Sequence, residues 1–209
     1  MMQTGKITVK TVCGAVTGIF LVGTGVAFNN RAGLGNDPIG ILYDGMRVFA
    51  GLSDTQLGTA TNIVNLILLV AVFIAARRYI NIGTFIYLIP YGFFVDLGGR
   101  ICSLIPPGEG TASRVFLSVI GCLLLYLGIG VNMTMDIGVD PFVGMVLAIA
   151  DKTKRQFRVV KVATDIVCVI IGALLGGKLG IVTVITALAA GPIIQFFAGV
   201  VAKVVKRIP

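Results

Sequence analysis

One carboxylate, Asp165, lies inside an apolar stretch of sequence where an ionisable side chain is unusual. Thr164 precedes it, and Lys161 lies four residues earlier, on the same face if the stretch is helical. A polar group among apolar residues of a membrane segment is a candidate site for a solute or an ion. The alternative is structural, in which Lys161 and Asp165 neutralise each other as an ion pair near the membrane surface.

The chain contains two copies of one unit, because residues 18–67 match residues 121–170 without a gap at a shift of 103. Polar residues recur in this register, which chance matches among apolar residues would not produce. The residues that correspond to Asp165 and Thr164 in the first copy, with one polar neighbour, are Asn62, Thr61 and Asn65. They are the first copy's candidates for binding a solute or an ion.

Each copy also contains an Asp-Pro pair, Asp37-Pro38 and Asp140-Pro141. Aspartate is a favoured N-cap acceptor and proline suits the first helical position, so each pair predicts the start of a short helix. A helix N-terminus inside a membrane protein can hold an anionic group of a substrate. Because the aspartate partly neutralises that positive end, the same position can equally mark a cation or proton site.

Four further polar residues recur in the two copies: Asn29, Asn132, Asp96 and Gln195. Asn29 and Asn132 close the first helix of each copy and either cap it or contribute to a site. Asp96 and Gln195 correspond at a shift of 99 and follow prolines that can bend a helix and free a carbonyl group. All four are candidate ligands for a solute.

The residue types of the usual catalytic and metal sites are missing or scattered. The sequence has no histidine, and its four cysteines are isolated from one another. No serine lies beside a suitable base in helical register. We therefore predict no catalytic residue, no metal site, no disulfide framework and no cofactor, and we expect that the protein is not an enzyme.

The chain as a whole has the composition of a membrane protein. Of its 209 residues, 56% are hydrophobic and only 12% are charged, far from the composition of a soluble domain. Apolar runs that lack the alternation of barrel strands predict membrane helices. The runs cover residues 11–30, 57–76, 115–135 and 179–202, with shorter runs at 79–95 and 162–177. The first run lacks a cleavage site and is expected to be retained.

The predicted fold is all-α: a polytopic transmembrane bundle of about eight helices, with six long spans and two short helices that begin at the Asp-Pro pairs. It forms a single membrane domain over residues 1–209, in which a Pro- and Gly-rich linker at 105–114 separates repeat 1 (11–104) from repeat 2 (115–202).

The short helices decide the topology. If they cross the membrane, the two copies are parallel, and if they are re-entrant, the copies are inverted. In the first short helix Asp44 and Arg47, three residues apart, can pair and so ease a crossing. The distribution of basic residues fits both arrangements. We favour the parallel one, because it avoids two re-entrant breaks in the membrane.

The net charge of +8 comes from basic residues between the apolar runs. This position is typical of residues that fix membrane topology and not of a nucleic-acid surface, although a polybasic loop can also bind anionic lipid head groups. The densest cluster comprises Lys152, Lys154, Arg155, Arg158 and Lys161. The C-terminal basic residues are Lys203, Lys206 and Arg207. Both groups predict cytoplasmic N- and C-termini.

Two segments of the sequence resemble a known bacterial group. They are Gly33-Leu34-Gly35-Asn36-Asp37-Pro38, before a short helix, and Gly180-Ile181-Val182-Thr183, before the last helix with its Gly191-Pro192. Both are similar to the YczE, YyaS and YitT group of bacterial multi-pass membrane proteins, over most of the chain. The resemblance implies a helical fold in a bacterial inner membrane. The group is functionally uncharacterised, so the resemblance implies no site residues.

Two functions fit these observations. The first is a small-solute transporter or exporter with a polar site at the interface of the repeats, and it predicts that Asp165→Asn or Asp37→Asn abolishes flux. The alternative is a non-transporting binding or regulatory subunit that acts through a protein partner and uses the basic loop 152–161. We favour the transporter, because polar residues inside a membrane are usually functional. The small size is also consistent with a homodimer.

Overall fold

The computed structural model of the protein describes residues 7–105, 110–136 and 140–205. Within these ranges the chain forms α-helices and two short 3₁₀ turns, with no β-strand. The helices are α1 (Val9–Ala32), α2 (Pro38–Phe49), α3 (Leu57–Ala76), α4 (Ile82–Ser103), α5 (Thr111–Met135), α6 (Pro141–Thr153), α7 (Phe157–Leu174) and α8 (Ile181–Val205). The predicted all-α bundle is confirmed. Residues 106–109 of the predicted linker, residues 138–139 before Asp140, and Lys206 and Arg207 lie outside the described residues.

Local capping explains where the long helices begin and end. Thr8 accepts a hydrogen bond from the Thr11 N–H at the start of α1, and Asn81 accepts one from Thr84 at the start of α4. α1 ends at Gly33, whose φ of 63° is a left-handed conformation that suits glycine.

Length separates the helices into two classes. Among the described residues, four segments are long and apolar enough to cross a membrane: Val9–Ala32, Asp54–Tyr79, Ile82–Ser103 and Thr111–Met135. α8 adds a fifth when it is counted through its bend of 64°. α7 has 18 residues, three of them charged. By contrast, α2 and α6 have 12 and 13 residues, so each is only about 20 Å long and too short to cross ~30 Å of hydrocarbon.

The first helices of the two copies, α1 and α5, pack in antiparallel directions. Gly18 near the start of α1 lies against Asn132 near the end of α5, and Gly121 near the start of α5 lies against Asn29 near the end of α1. A Cβ atom on Gly18 would stand 2.7 Å from Asn132 Oδ1, and one on Gly121 would stand 2.4 Å from Asn29 Oδ1. In the repeat register Gly18 corresponds to Gly121 and Asn29 to Asn132, so each of the two contacts is the counterpart of the other. An approximate twofold axis therefore relates α1 to α5 and reverses the chain direction.

The two copies are therefore inverted. Within the first copy α4 runs parallel to α1, since the Phe20 and Phe94 rings lie 5.5 Å apart and Gly98 packs against Thr24 further along both helices. Because α1 and α5 occupy the same place in their copies and point in opposite directions, the copies have opposite orientations in the membrane. The parallel arrangement favoured from the sequence is wrong.

One end of the bundle, here called the distal face, holds the ends of α1 and α4 and the starts of α3 and α5. The Arg31 guanidinium donates a hydrogen bond to the Ile105 carbonyl at 3.2 Å, and the Arg114 guanidinium donates one to the Ala32 carbonyl at 2.8 Å. Asp54, just before α3, lines the same surface cleft as Arg31.

The opposite end, here called the terminal face, holds the start of α1 and the end of α8. The Lys10 ammonium donates a hydrogen bond to the Val205 carbonyl at 3.3 Å. An ion pair between Arg78 and Asp151 joins the end of α3 to the end of α6 on this face.

The short helix α2 begins inside the bundle and returns to the distal face. Both α1, before it, and α3, after it, have their adjoining ends on that face. The Asn36 side-chain amide donates a hydrogen bond to the Val26 carbonyl at 3.1 Å. Since Val26 lies six residues before Ala32, the loop reaches about 9 Å below the end of α1. α2 is thus re-entrant, and it is tolerated in a membrane because protein surrounds it. α6 lies in the same way between the terminal-face ends of α5 and α7.

Candidate functional site

The N-terminus of α2 carries a carboxylate that is only partly partnered. The Asp37 N–H donates a hydrogen bond to Asn36 Oδ1 at 3.0 Å, and the Asp37 side chain makes no hydrogen bond that caps α2. Asp37 Oδ1 is buried and has no hydrogen-bond partner among the described residues. The position of Asp37 as N-cap residue is confirmed, but its predicted acceptor role is not realised.

The loop before α2 is held in place by the loop before α8. The Val182 N–H donates a hydrogen bond to the Leu34 carbonyl at 3.0 Å. Gly35 has a φ of 100°, and a Cβ atom there would stand 2.5 Å from Thr183 Oγ1. A side chain at this position would therefore be strained and would collide with α8. The two motifs that carried the family resemblance thus pack against each other.

Asp140 occupies the equivalent position at α6 and does cap its helix. It accepts a hydrogen bond from the Val143 N–H at 3.0 Å. Asp37 and Asp140 lie within electrostatic range of the same three tyrosines and of Lys161. The N-termini of the two re-entrant helices therefore face one shared region of the interior.

Tyrosines and one amide complete this region, here called the interior cluster and defined as Asp37, Asp140, Tyr43, Tyr87, Tyr91 and Asn65. The Tyr43 hydroxyl donates a hydrogen bond to Asn65 Oδ1 at 3.0 Å. The ring of Tyr91 lies 6.3 Å from that of Tyr43 and 5.1 Å from that of Tyr87. Asn65 is 1% exposed, and its Nδ2 has no partner among the described residues.

The sequence predicted Asn65 and both aspartates of the interior cluster but missed its tyrosines. At the corresponding positions the second copy has Val146 for Tyr43 and, at the shift of 99, Thr186 and Ala190 for Tyr87 and Tyr91. A search for polar residues that recur in both copies therefore passes over them. The spacing of four between Tyr87 and Tyr91, inside an apolar helix, is the signal that could have found them.

Asp165 forms the ion pair that was the structural alternative. The Lys161 ammonium lies 2.5 Å and 2.6 Å from the two Asp165 oxygens, and it also lies 4.9 Å from the Phe142 ring centre. Both members of the pair are within electrostatic range of Asp37. Asp165 is thus a neighbour of the interior cluster whose charge is already matched.

The threonines beside these positions bond to their own helices. Thr61 Oγ1 donates a hydrogen bond to the Leu57 carbonyl at 2.9 Å, and Thr164 Oγ1 donates one to the Val160 carbonyl at 2.8 Å. When a hydroxyl donates to the carbonyl four residues earlier, its hydrogen is already engaged in a hydrogen bond within the helix. Both threonines are buried, and neither offers a donor to a solute.

Three predicted site residues lie away from the interior cluster. Asn62 is exposed on α3 beside Gly92, and Gln195 is exposed on α8. Asp96 lines a cleft of about 250 Å³ at the distal face, together with Arg31 and other residues. Asp96 Oδ1 accepts a hydrogen bond from the Gly58 N–H at 2.6 Å, which ties α4 to the start of α3.

The two recurring asparagines, Asn29 and Asn132, lie in the α1–α5 interface. Each packs on a glycine of the partner helix, and Asn29 Oδ1 accepts a weak hydrogen bond from Cys122 Sγ at 3.7 Å. Their side-chain nitrogens have no partner among the described residues. Their contacts assign them to helix packing and not to the interior cluster.

The basic cluster divides into two parts. Lys152, Lys154, Arg155 and Arg158 are exposed on the terminal face. Lys161 lies one turn further along α7 and turns toward Asp165. In the described part of the chain no group of three or more His, Cys, Asp or Glu residues could hold a metal ion.

An all-helical chain with spanning helices, inverted copies and two re-entrant helices defines a multi-pass membrane protein. The chain belongs to a family of unknown function (DUF6198), whose sequence model matches residues 9–199. The resemblance to the YczE-like group is thereby confirmed.

Two curated relatives are similar to this chain. An uncharacterized protein of Haemophilus influenzae is 25% identical over 194 residues, which cover 93% of this chain and 86% of the relative. The uncharacterized membrane protein YczE of Bacillus subtilis is 23% identical over 120 residues, 57% of this chain and 54% of its own length. No solved structure matches the chain.

Proposed function

We propose that the protein is a small-solute transporter of the bacterial cytoplasmic membrane whose substrate site is the interior cluster. The observation that carries the proposal is the pair of re-entrant helices, α2 and α6, which enter from opposite faces and bring Asp37 and Asp140 to one buried polar region. Inverted copies with broken helices that meet at a site suit alternating access, because each copy can close one side of it. Catalysis has no part in this proposal.

The packing of α2 supports a closed distal side. α2 lies against the end of α7, where a Cβ atom on Gly45 would stand 2.4 Å from the Gly172 carbonyl oxygen. The Asp44 carboxylate also accepts a hydrogen bond from the Lys178 N–H at 2.9 Å, which ties α2 to the loop before α8. In the proposed cycle, a solute reaches the distal side only after these contacts separate.

We also propose that the terminal face is cytoplasmic, with both termini inside. The basic residues of that face outnumber those of the distal face, as expected for cytoplasmic loops. The described basic residues of the terminal face are Lys10, Arg77, Arg78, Lys152, Lys154, Arg155, Arg158, Lys161 and Lys203, and those of the distal face are Arg31, Arg47, Arg100, Arg114 and Lys178.

Cysteine labelling in intact cells tests this orientation. In a Cys13→Ser background, which removes the exposed native thiol, a membrane-impermeant maleimide is expected to label Ser53→Cys and Thr111→Cys on the distal face. Thr153→Cys on the terminal face should react only after permeabilisation. All three positions are exposed. If the short helices crossed the membrane, all three positions would lie on one side and would label alike, and a reversed pattern of sides would invert the orientation.

A thermal-shift screen tests the function. The detergent-purified protein is screened against metabolites and ions, and each hit is followed by counterflow in proteoliposomes, because a ligand that binds only the folded form raises its apparent stability. We expect at least one solute that stabilises the protein and is exchanged across the membrane. Asp37→Asn should abolish both the stabilisation and the exchange while the variant still folds. The substitution removes the charge of Asp37, whose Oδ1 atom has no described hydrogen-bond partner.

The matched control is Asp136→Asn. Asp136 is exposed, and its φ of 47° is a left-handed conformation that asparagine also adopts readily. This variant should bind and exchange the solute like the wild type. A hit that survives in Asp37→Asn would place the site elsewhere. A blank screen with well-folded protein would instead favour a regulatory subunit that acts through a protein partner.

A further inference from the structure

The interior cluster holds more negative than positive charge. Lys161 is matched by both oxygens of Asp165, at 2.5 Å and 2.6 Å. Asp37 and Asp140 form no ion pair with any described residue. A carboxylate away from water is costly unless a cation or several donors compensate it. A cation beside Asp37 would compensate this charge.

The two carboxylates are not equally available. Asp140 is engaged by the Val143 N–H, as a helix cap. Asp37 Oδ1 has no hydrogen-bond partner among residues 7–105, 110–136 and 140–205. Both aspartates remain partly exposed although the residues that follow them, Pro38 and Pro141, are buried. Asp37 Oδ1 itself is buried, so a ligand reaches it only when the contacts around α2 separate, as in the proposed cycle.

Aromatic rings favour an organic cation over an inorganic one. Tyr43, Tyr87 and Tyr91 present three neighbouring rings, and the faces of tyrosine rings attract ammonium groups. Asn65 supplies an independent sign of a ligand: it is 1% exposed, its oxygen accepts the Tyr43 hydroxyl, and its Nδ2 donor is left without a described partner. Because Asn65, unlike Asn29 and Asn132, contacts a tyrosine of the interior cluster, an acceptor oxygen of a ligand bound there would satisfy this donor.

We propose that the interior cluster binds a small organic ammonium ion that carries a hydroxyl or carbonyl oxygen. This inference rests on the proposed function and names the substrate class of the same site. The ammonium group lies beside Asp37 and the tyrosine rings, and the oxygen accepts a hydrogen bond from Asn65 Nδ2.

The test compares choline with an uncharged isostere of the same shape, and it varies the size of the ammonium group and the presence of the oxygen separately. Purified protein is titrated with ethanolamine, choline and tetramethylammonium as chlorides, with 3,3-dimethyl-1-butanol as the uncharged isostere of choline, and with sodium chloride. Unfolding is followed with a thiol-reactive dye in the Cys13→Ser background, since Cys13 is exposed whereas Cys102 and Cys168 are buried in the folded protein. At least one hydroxyl-bearing ammonium ion should raise Tm by about 5 °C at a hundredfold excess over its Kd. The isostere and sodium should not.

Variants assign the effect to named side chains. Asp37→Asn should abolish the shift, and Asp136→Asn should preserve it. Tyr91→Phe, which keeps the ring, should change the Kd by less than threefold, whereas Tyr91→Leu should raise it at least tenfold. A purely structural role of Tyr91 would lower Tm in Tyr91→Leu without changing the Kd, and that result would overturn the aromatic contact.

The remaining outcomes separate this inference from the proposed function. Equal shifts with choline and its isostere, or a shift with sodium alone, would overturn the ammonium class. If an anionic or uncharged solute stabilises the protein in a way that depends on Asp37, and that solute shows counterflow, the ammonium class is overturned. The proposal that the protein is a transporter is then still supported. If no solute of any charge stabilises or exchanges, both proposals fall.

Discussion

Replacing Arg47 with alanine is expected to lower the free energy of unfolding by about 3–5 kcal/mol, because it leaves a buried carboxylate without its cation. The Arg47 guanidinium lies 2.9 Å from Asp44, whose side chain is 1% exposed, and 2.9 Å from Asp54. It also donates a hydrogen bond to the Leu52 carbonyl at 3.1 Å. Arg47 therefore holds the outer end of α2 against the start of α3, and the loss should appear in unfolding titrations in mixed micelles.

A double variant distinguishes charge burial from lost packing. Asp44→Asn with Arg47→Met removes both charges, keeps similar volumes, and retains an acceptor for the Lys178 N–H. It should recover most of the stability lost in Arg47→Ala, since a buried ion pair and an apolar pair of similar size are often nearly equivalent. Arg100→Ala, at an exposed position of the distal face, is the control and should lie within about 0.5 kcal/mol of the wild type. A loss below 1 kcal/mol in Arg47→Ala would contradict the burial of Asp44.

Pairing within a helix could be predicted from spacing alone. Asp44 and Arg47 at three residues, and Lys161 and Asp165 at four, form the pairs that helical geometry suggests. The Asp-Pro pairs likewise mark the starts of α2 and α6. These features are local, so neither membrane orientation nor tertiary packing is needed to infer them.

The orientation of the copies could not be predicted in this way. If α2 and α6 are re-entrant instead of crossing, some basic loops change sides. One side of the membrane still has a similar excess of basic residues, so the charge distribution does not distinguish the two arrangements. The choice depends on tertiary contacts: Asn36 donates to the Val26 carbonyl, and the loop before α2 packs on Val182 and Thr183. Tertiary contacts of this kind have no signature in composition or periodicity.

The repeat pattern predicted only some of the residues that form the interior cluster. A repeat identifies residues that are equivalent, whereas a binding site needs residues that meet, and inversion makes these two sets differ. Asn62 is the counterpart of Asp165, yet Asn62 is exposed while Asp165 pairs with Lys161. The interior cluster instead uses Tyr43 and Asn65 of the first copy, which bond to each other and have no polar counterpart in the second beyond Cys168. The site is therefore asymmetric although the scaffold is symmetric.

The α1–α5 interface offers a test of that scaffold, and Gly25→Ala is expected to destabilise the protein by about 1–3 kcal/mol through overpacking. A Cβ atom on Gly25 would stand 2.6 Å from the Gly121 carbonyl oxygen, and backbone on both sides leaves it nowhere to move. Gly128 is the counterpart of Gly25 in the repeat register. A Cβ atom there would stand 2.6 Å from the Gly18 carbonyl oxygen, so Gly128→Ala should cost a similar amount if the inverted twofold is real.

The matched control is Gly99→Ala on α4, where an added Cβ atom meets nothing within 4 Å. Alanine favours a helix over glycine by about 1 kcal/mol, so this variant should be neutral or slightly more stable. Unfolding titrations of the three variants in one detergent measure the differences. Antiparallel packing of α1 on α5 requires that Gly25→Ala and Gly128→Ala both have a lower free energy of unfolding than Gly99→Ala. If Gly25→Ala and Gly99→Ala behaved alike, the close approach of α1 and α5 would be absent, and the inverted arrangement, with the shared site that depends on it, would have to be given up.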